Sequence, residues 1–174
     1  MQGRDVVLGL LNQRSRTGYE IKEILETQLS YFFEASIGMI YPTLRKLEKE
    51  GKIKKDRVYQ TDKPNKNVYS ITQSGKDEFD HYLKSPTSEE LYRSDFLMRL
   101  YFGKYLSKDE LVQIISQEID RKKHHLDWLS SEYEKWRKNG MNKLQTITYH
   151  YGMAYYAAEM DVLTMALNDV QNDD

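Results

Sequence analysis

The 174-residue sequence predicts a mainly α-helical protein with one small β-hairpin, organised in two domains. Three observations predict this class. Apolar residues recur at three- and four-residue spacing over most of the chain. That period gives way to a strand-like pattern only between Gly51 and Thr72. The segment Ser85-Pro86-Thr87-Ser88 is a short polar breaker between two helical patterns, so the domains are expected over residues 1–85 and 86–174.

Val6, Val7, Leu8, Leu10 and Leu11 predict a short first helix that closes at Asn12-Gln13-Arg14-Ser15-Arg16. Thr17, with Glu20 three residues on, is a capping box, in which each side chain satisfies a backbone N–H of the other residue. It opens a second helix with Ile21, Ile24, Leu25 and Leu29 on one face. Ser36 is the next cap candidate. Ile37, Ile40, Leu44 and Leu47 then define a third helix ending at Gly51. Pro42 has no N–H and belongs in the first turns of that helix, so a start near Met39 fits. Ile53 to Gln60 and Val68 to Thr72 read as two strands joined by the turn Lys63-Pro64-Asn65-Lys66-Asn67. A fourth helix runs from about Thr72 to Leu83. Three helices followed by a two-stranded wing is the order of a winged helix-turn-helix. There the third helix enters the major groove of DNA and the hairpin lies beside the backbone or minor groove.

Beyond Pro86 almost everything is helix. Leu91 to Phe102 is short and is interrupted at Gly103. Ser107 and Glu110 form a second capping box, opening a long helix to about Lys138 on which Ile119, Leu126, Leu129, Tyr133 and Trp136 keep heptad spacing. Asn139-Gly140 ends it. The last helix, from about Asn142, carries Leu144, Ile147, Tyr151, Ala154 and Ala158 in the same pattern. Two such helices cannot cover both of their stripes alone. A homodimer is therefore expected, with Leu126, Leu129, Tyr133, Trp136, Leu144, Ile147, Tyr151, Ala154 and Ala158 at its seam, which makes the C-terminal half a helical dimerisation domain.

Lys and Arg number 26 against 27 Asp and Glu, a balance that by itself argues against a nucleic-acid partner. Dividing the chain reverses that inference. Residues 1–85 carry 15 basic and 12 acidic side chains, residues 86–174 carry 11 and 15, and residues 41–70 carry nine and four. The positive excess coincides with the third helix and the wing, which points to a polyanion at one end of the molecule. No stretch approaches the ~18 apolar residues of a membrane helix. Met1-Gln2-Gly3-Arg4 does not read as the start of a signal peptide, so a cytoplasmic protein with no membrane partner is expected. The sequence has no cysteine, which excludes a disulfide scaffold, a thiolate metal site and a cysteine nucleophile. His124 and His125 are adjacent and diverge by about 100° on a helix, so they do not share a metal. No metal and no other cofactor is expected. With no Gly-rich phosphate loop and no nucleophile elbow, no catalytic residue is expected either.

The run Gly38-Met39-Ile40-Tyr41-Pro42-Thr43-Leu44-Arg45-Lys46-Leu47-Glu48-Lys49-Glu50-Gly51 is similar to the recognition-helix signature of PadR-type transcriptional regulators. Gly18-Tyr19-Glu20-Ile21 before it and Tyr69-Ser70-Ile71-Thr72-Gln73-Ser74-Gly75 after it resemble the family's flanking motifs. Ser94-Asp95-Phe96-Leu97-Met98-Arg99-Leu100-Tyr101-Phe102 resembles the start of the C-terminal dimerisation domain of the larger PadR subfamily, so the resemblance covers nearly the whole chain. The wing turn and the C-terminal helices most resemble members from lactic acid bacteria. The resemblance implies a dimeric repressor of a phenolic acid decarboxylase gene, bound to a pseudo-palindromic double-stranded DNA operator and released by hydroxycinnamic acids. Two alternatives stand beside it: a PadR-type regulator of an efflux or other stress gene with a different inducer, and a helical adaptor that binds only protein.

DNA contacts are expected from Ser36, Gly38 and Thr43, which let a backbone approach closely, and from Tyr41, whose hydroxyl can reach a phosphate. Arg45 and Lys46, with Lys49, add charge. In the wing, Lys63, Asn65, Lys66 and Asn67 stand on a tip with nothing apolar to bury. The resemblance adds Tyr19, Met39, Pro42 and Tyr69. A phenolic carboxylate needs flat apolar walls and a cation. Tyr92, Arg93, Phe96, Arg99, Trp128, Tyr149 and His150 are the effector candidates, although aromatics at this spacing equally form a dimer core. A chain without a thiol must switch by ligand binding.

Overall fold

The structure is a computed structural model that describes residues 3–33, 37–59, 65–90 and 92–172. It divides into two compact units, Met1–Glu90 and Leu91–Asp174, a boundary a little beyond the Pro86 breaker.

In the N-terminal unit, α1 (Gly3–Gln13) lays Val7, Leu8, Leu10 and Leu11 into the core. α2 (Gly18–Thr27) adds Ile21, Ile24 and Leu25, and α3 (Ile40–Lys49) adds Ile40, Leu44 and Leu47. Each helix thus buries one apolar face. The capping box forms: Thr17 N donates to Glu20 Oε2 at 2.7 Å, and Glu20 N donates to Thr17 Oγ1 at 3.2 Å. Leu29 lies just past the end of α2, yet packs against the same core. A 3-10 turn over Ile37–Met39 leads into α3, whose N-cap, Met39, makes no side-chain capping bond. The cap expected from Ser36 lies outside the described residues. Pro42 falls in the first turn of α3, where its missing N–H removes no helical hydrogen bond. Gly51 ends the helix at φ +69°, a left-handed conformation that glycine adopts at least cost.

The expected hairpin is part of a three-stranded antiparallel sheet in the order β1-β3-β2, made of β1 (Arg16–Thr17), β2 (Ile53–Val58) and β3 (Lys66–Ile71). Two residues are too few to show a strand alternation in sequence. Arg16, read as loop, is buried; its guanidinium donates to the Leu10 carbonyl at 3.1 Å and to Gln13 Oε1 at 2.8 Å, fixing the end of α1 to the sheet. Lys66 and Asn67 belong to β3 and not to the turn. Lys63 and Pro64 lie outside the described residues.

α4 (Gln73–Lys84) is capped by Thr72, whose Oγ1 accepts from Gly75 N at 3.2 Å and donates to the Gly51 carbonyl at 2.8 Å. A Cβ on Gly75 would collide with the Lys52 carbonyl, so this close approach demands glycine. Arg4 bridges Glu50 at 2.8 Å and Glu78 at 2.6 Å, and Lys52 reaches Glu78 at 3.1 Å. These pairs tie α1, α4 and the end of α3 together.

In the C-terminal unit α5 (Asp95–Tyr101) starts later than Leu91, because Ser94 caps it by accepting from Leu97 N at 3.1 Å. A 3-10 turn over Gly103–Tyr105 follows. α6 (Lys108–Lys138) opens on the Ser107–Glu110 capping box, and α7 (Lys143–Asn172) returns antiparallel to it. Three contacts set the register. Lys122 pairs with Glu159 at 2.9 Å, the His125 ring stacks on Tyr156 at 5.0 Å, and Tyr133 stacks on Tyr149 at 4.3 Å.

The hairpin seam is formed by Ile115, Glu118, Leu129 and Trp136 from α6 and Tyr149, Gly152, Tyr156 and Leu163 from α7. Two of the residues expected at a dimer seam, Leu129 and Trp136, belong to this seam within one chain instead. Leu129 and Trp136 are buried within their own chain, whereas Leu144, Ile147, Tyr151, Ala154 and Ala158 are all exposed. Leu126 and Tyr133 are half-buried. α7 is apolar on more than one side, and heptad spacing does not say which side meets α6.

Candidate nucleic-acid interface

α3 is anchored through Ile40, Leu44 and Leu47, so its opposite side faces solvent and exposes Gly38, Tyr41, Pro42, Arg45, Lys46 and Lys49. Thr43 is half-buried at the edge of this face. The Tyr41 ring lies on Gly18: a Cβ there would sit 2.8 Å from Tyr41 Cε1. This seats Tyr41 against the first turn of α2, next to Tyr19, which is 70% exposed. Two exposed phenols therefore share one end of the face.

Two expected contacts are engaged within the fold instead, Met39 half-buried and Tyr69 buried. Met39 packs its thioether on Gly3 at the start of α1. Tyr69 is 7% exposed because β3 is the central strand, and it sits among Tyr41, Arg45 and Glu48 of α3 and Lys55 of β2. Burial pushes its hydroxyl pKa up. It supports α3 from behind rather than reaching into a groove.

Strand pairing orders the wing. Lys55 stands opposite Tyr69, Arg57 opposite Asn67, and Val58 opposite Lys66. Side chains alternate between the faces of a sheet. Lys55, Arg57 and Asn67 therefore share the Tyr69 face, which looks toward α3, and Lys66 is on the other face with Val58. Lys55 spans to Glu48 of α3 at 3.2 Å and fixes the wing to the helix. Asn65, Lys66 and Asn67 are exposed, but Lys66 and Asn67 do not form one cluster. Sequence reasoning missed Arg57, whose guanidinium lies 5.6 Å from the centre of the Tyr59 ring; the register was the signal that would have found it. Arg45, Lys46, Lys49, Lys54 and Lys66 make no ion pair with any described residue. A surface with so many uncompensated cations is suited to phosphates.

The effector candidates do not form one site. Arg99 pairs with Asp95 at 2.8 Å and lines, with Met98, Phe102 and Gln117, a groove of about 550 Å³. Tyr149 is buried on Tyr133, with the His150 ring 5.2 Å away. Gln117 and Tyr133 are about 24 Å apart along α6 at 1.5 Å per residue. Trp128 packs edge-on against Trp136 at 5.7 Å. Arg93 is exposed and Phe96 half-buried. Tyr92 hydrogen-bonds to Tyr155, whose own hydroxyl is pushed well up, first by burial and then by Tyr92 and Glu159. Among the described residues, no group of three or more His, Asp or Glu side chains is placed to hold a metal, and no helix is long and apolar enough to cross a membrane.

Residues 7–81 match the transcriptional regulator PadR-like family, and residues 92–170 match the virulence activator alpha C-terminal family. The negative transcriptional regulator PadR of Bacillus subtilis is 32% identical over 130 residues, 74% of this chain and 71% of that protein. The chain belongs to the PadR family. Its fold is that of smu.1604c from Streptococcus mutans, with 51% identity, a TM-score of 0.89, and 97% of this chain and 99% of that chain covered. The PadR-like transcriptional regulator BC1756 from Bacillus cereus is similar, with 43% identity, a TM-score of 0.91, and 99% and 100% covered. Bacillus subtilis PadR in complex with operator DNA aligns at 26% identity and a TM-score of 0.83, over 96% and 98% of the two chains. Its complex with p-coumaric acid aligns at 24% and 0.76, over 97% and 98%. PadR proteins are transcriptional regulators and not enzymes, and the helical PadR fold with its small antiparallel sheet is the one found here.

Proposed function

We propose that this PadR-family chain is a ligand-responsive repressor that binds a pseudo-palindromic operator as a dimer. The solvent face of α3 carries the reading: Tyr41, Arg45, Lys46 and Lys49 stand together on a helix anchored from behind, beside a wing tied to it by Lys55 and Glu48. In a two-fold dimer, two such helices address successive major grooves about 34 Å apart. The large apolar side chains left exposed on α7 (Leu144, Ile147, Tyr151, Val162 and Met165) are the surface a second copy would cover.

Bacillus subtilis PadR supplies the rest of the reading. By likeness to it and to its complex with p-coumaric acid, the inducer is a phenolic acid of the hydroxycinnamic class, and the resemblance carried by the sequence motifs makes the controlled gene a phenolic acid decarboxylase. A ligand that binds the low-affinity state better than the operator-bound state releases DNA by that difference alone. The test is a gel shift of the full chain on its own upstream DNA across a salt series, titrated with p-coumarate and with a cationic dye. Salt-dependent binding released by p-coumarate is the expected result. Release by the dye alone moves the inducer to another class, and an absence of salt-dependent binding overturns the operator reading.

A further inference from the structure

Among its described residues the wing bears two exposed cations near its outer end, and the sheet register separates them. Lys66 faces away from α3 with Val58. Arg57 stands on the face that Lys55 and Tyr69 turn toward α3, two residues beyond Lys55, a step of about 6.7 Å along the strand. Its guanidinium is braced over the ring of Tyr59, which is 76% exposed and serves no core. A guanidinium held by an aromatic face loses less freedom on insertion than an unbraced one. The narrow minor groove of A·T-rich DNA has an enhanced negative potential that attracts arginine in particular.

We propose that Arg57, braced on Tyr59, enters the minor groove beside the major groove taken by α3 and gives the operator an A·T preference flanking each half-site. This assignment rests on the operator-binding reading above. Lys66, on the other face, then contributes charge to the phosphate backbone without a sequence preference.

The experiment selects duplexes from a randomised pool with the full chain, comparing the native protein with Arg57→Ala, Arg57→Lys and Lys66→Ala. The native chain is expected to enrich a common core flanked by A·T steps. Arg57→Ala keeps the core and loses the flank. Arg57→Lys loses most of it, since an ammonium is more strongly hydrated and does not stack as a plane. Lys66→Ala keeps both and binds every duplex more weakly. On a single selected duplex, replacing the flank by G·C lowers native affinity about tenfold and Arg57→Ala affinity by less than about twofold. A flank preference retained by Arg57→Ala, lost by Lys66→Ala, or missing from the native chain overturns the proposal. Failure of the native chain to enrich any duplex overturns the operator reading itself, and is recognised by the missing core.

Discussion

The two units of this chain dispose of their apolar side chains differently. In the N-terminal unit Leu8, Ile21, Leu44 and Leu47 are wholly buried, and the face left over on α3 is polar and cationic. In the C-terminal unit Ile115 and Leu129 are wholly buried, but Leu144, Ile147, Tyr151, Val162 and Met165 each remain more than half exposed. Helices layered with a sheet enclose a core from several sides, whereas a two-helix hairpin covers one side of each helix. The first unit is a closed fold with a charged face added. The second is a fold that leaves a broad apolar surface of α7 uncovered.

The largest effect that would break this comparison is expected from Leu44→Ala. Truncating a fully buried leucine costs about 2–5 kcal/mol, a large part of a small domain's stability. The expected outcome in a thermal scan is an early melt of the N-terminal unit with the signal of α6 and α7 intact. A single transition that takes all the helix with it would show that the units are not independently stable. Ile147→Glu comes next. The residue is exposed in the chain, so its replacement leaves the melting of one copy almost unchanged. In sedimentation the variant is expected to run as a monomer, with operator affinity lower by about a hundredfold as two linked contacts become one. A variant that remains dimeric would remove this stripe of α7 from the interface. Lys66→Ala is smaller again. It is expected to weaken binding alike on all duplexes and to reduce the slope of log affinity against log salt by about one. An unchanged slope removes Lys66 from contact with phosphates.

What was legible in the sequence follows the same division. The capping boxes at Thr17 and Ser107 and the left-handed Gly51 are local features, settled within three or four residues, and all three form as their residue types require. The faces of elements were less legible. Lys66 and Asn67 are neighbours in sequence but lie on opposite faces of β3, and Arg57 is brought to the Asn67 face only by pairing. On α7 two stripes share one spacing, and only the partner helix selects the one through Tyr149 and Tyr156. Arg99 and Tyr149 carry suitable chemistry for an effector, but α6 holds their surroundings several turns apart. Residue type announces chemistry, and pairing decides whether it converges.

The smallest predicted effect separates the units by pH. In the N-terminal unit burial raises the pKa of Glu78, but hydrogen bonds from Lys52 and Arg4 outweigh it and hold the carboxyl below its ordinary 4.5. A group lowered in this way stabilises the fold above its unfolded value and loses that contribution as pH falls through the folded one, so this unit responds only to strong acid. His125 in the C-terminal unit is also lowered, from 6.5, first by burial on Tyr156 and then by Lys122. For a base the consequence arrives at milder pH. The unfolded chain takes up the proton first, so stability is full above 6.5 and declines as pH falls from there toward the folded value. The melting of the C-terminal helices is expected to drop by a few degrees between about pH 7 and pH 5.5, while the N-terminal transition holds. His125→Phe keeps a ring against Tyr156 but cannot accept a proton, so its melting should be flat over that range. If the variant retains the native slope, the proton is taken up elsewhere on the hairpin, and the seam at Tyr156 is not what makes this unit the acid-sensitive one.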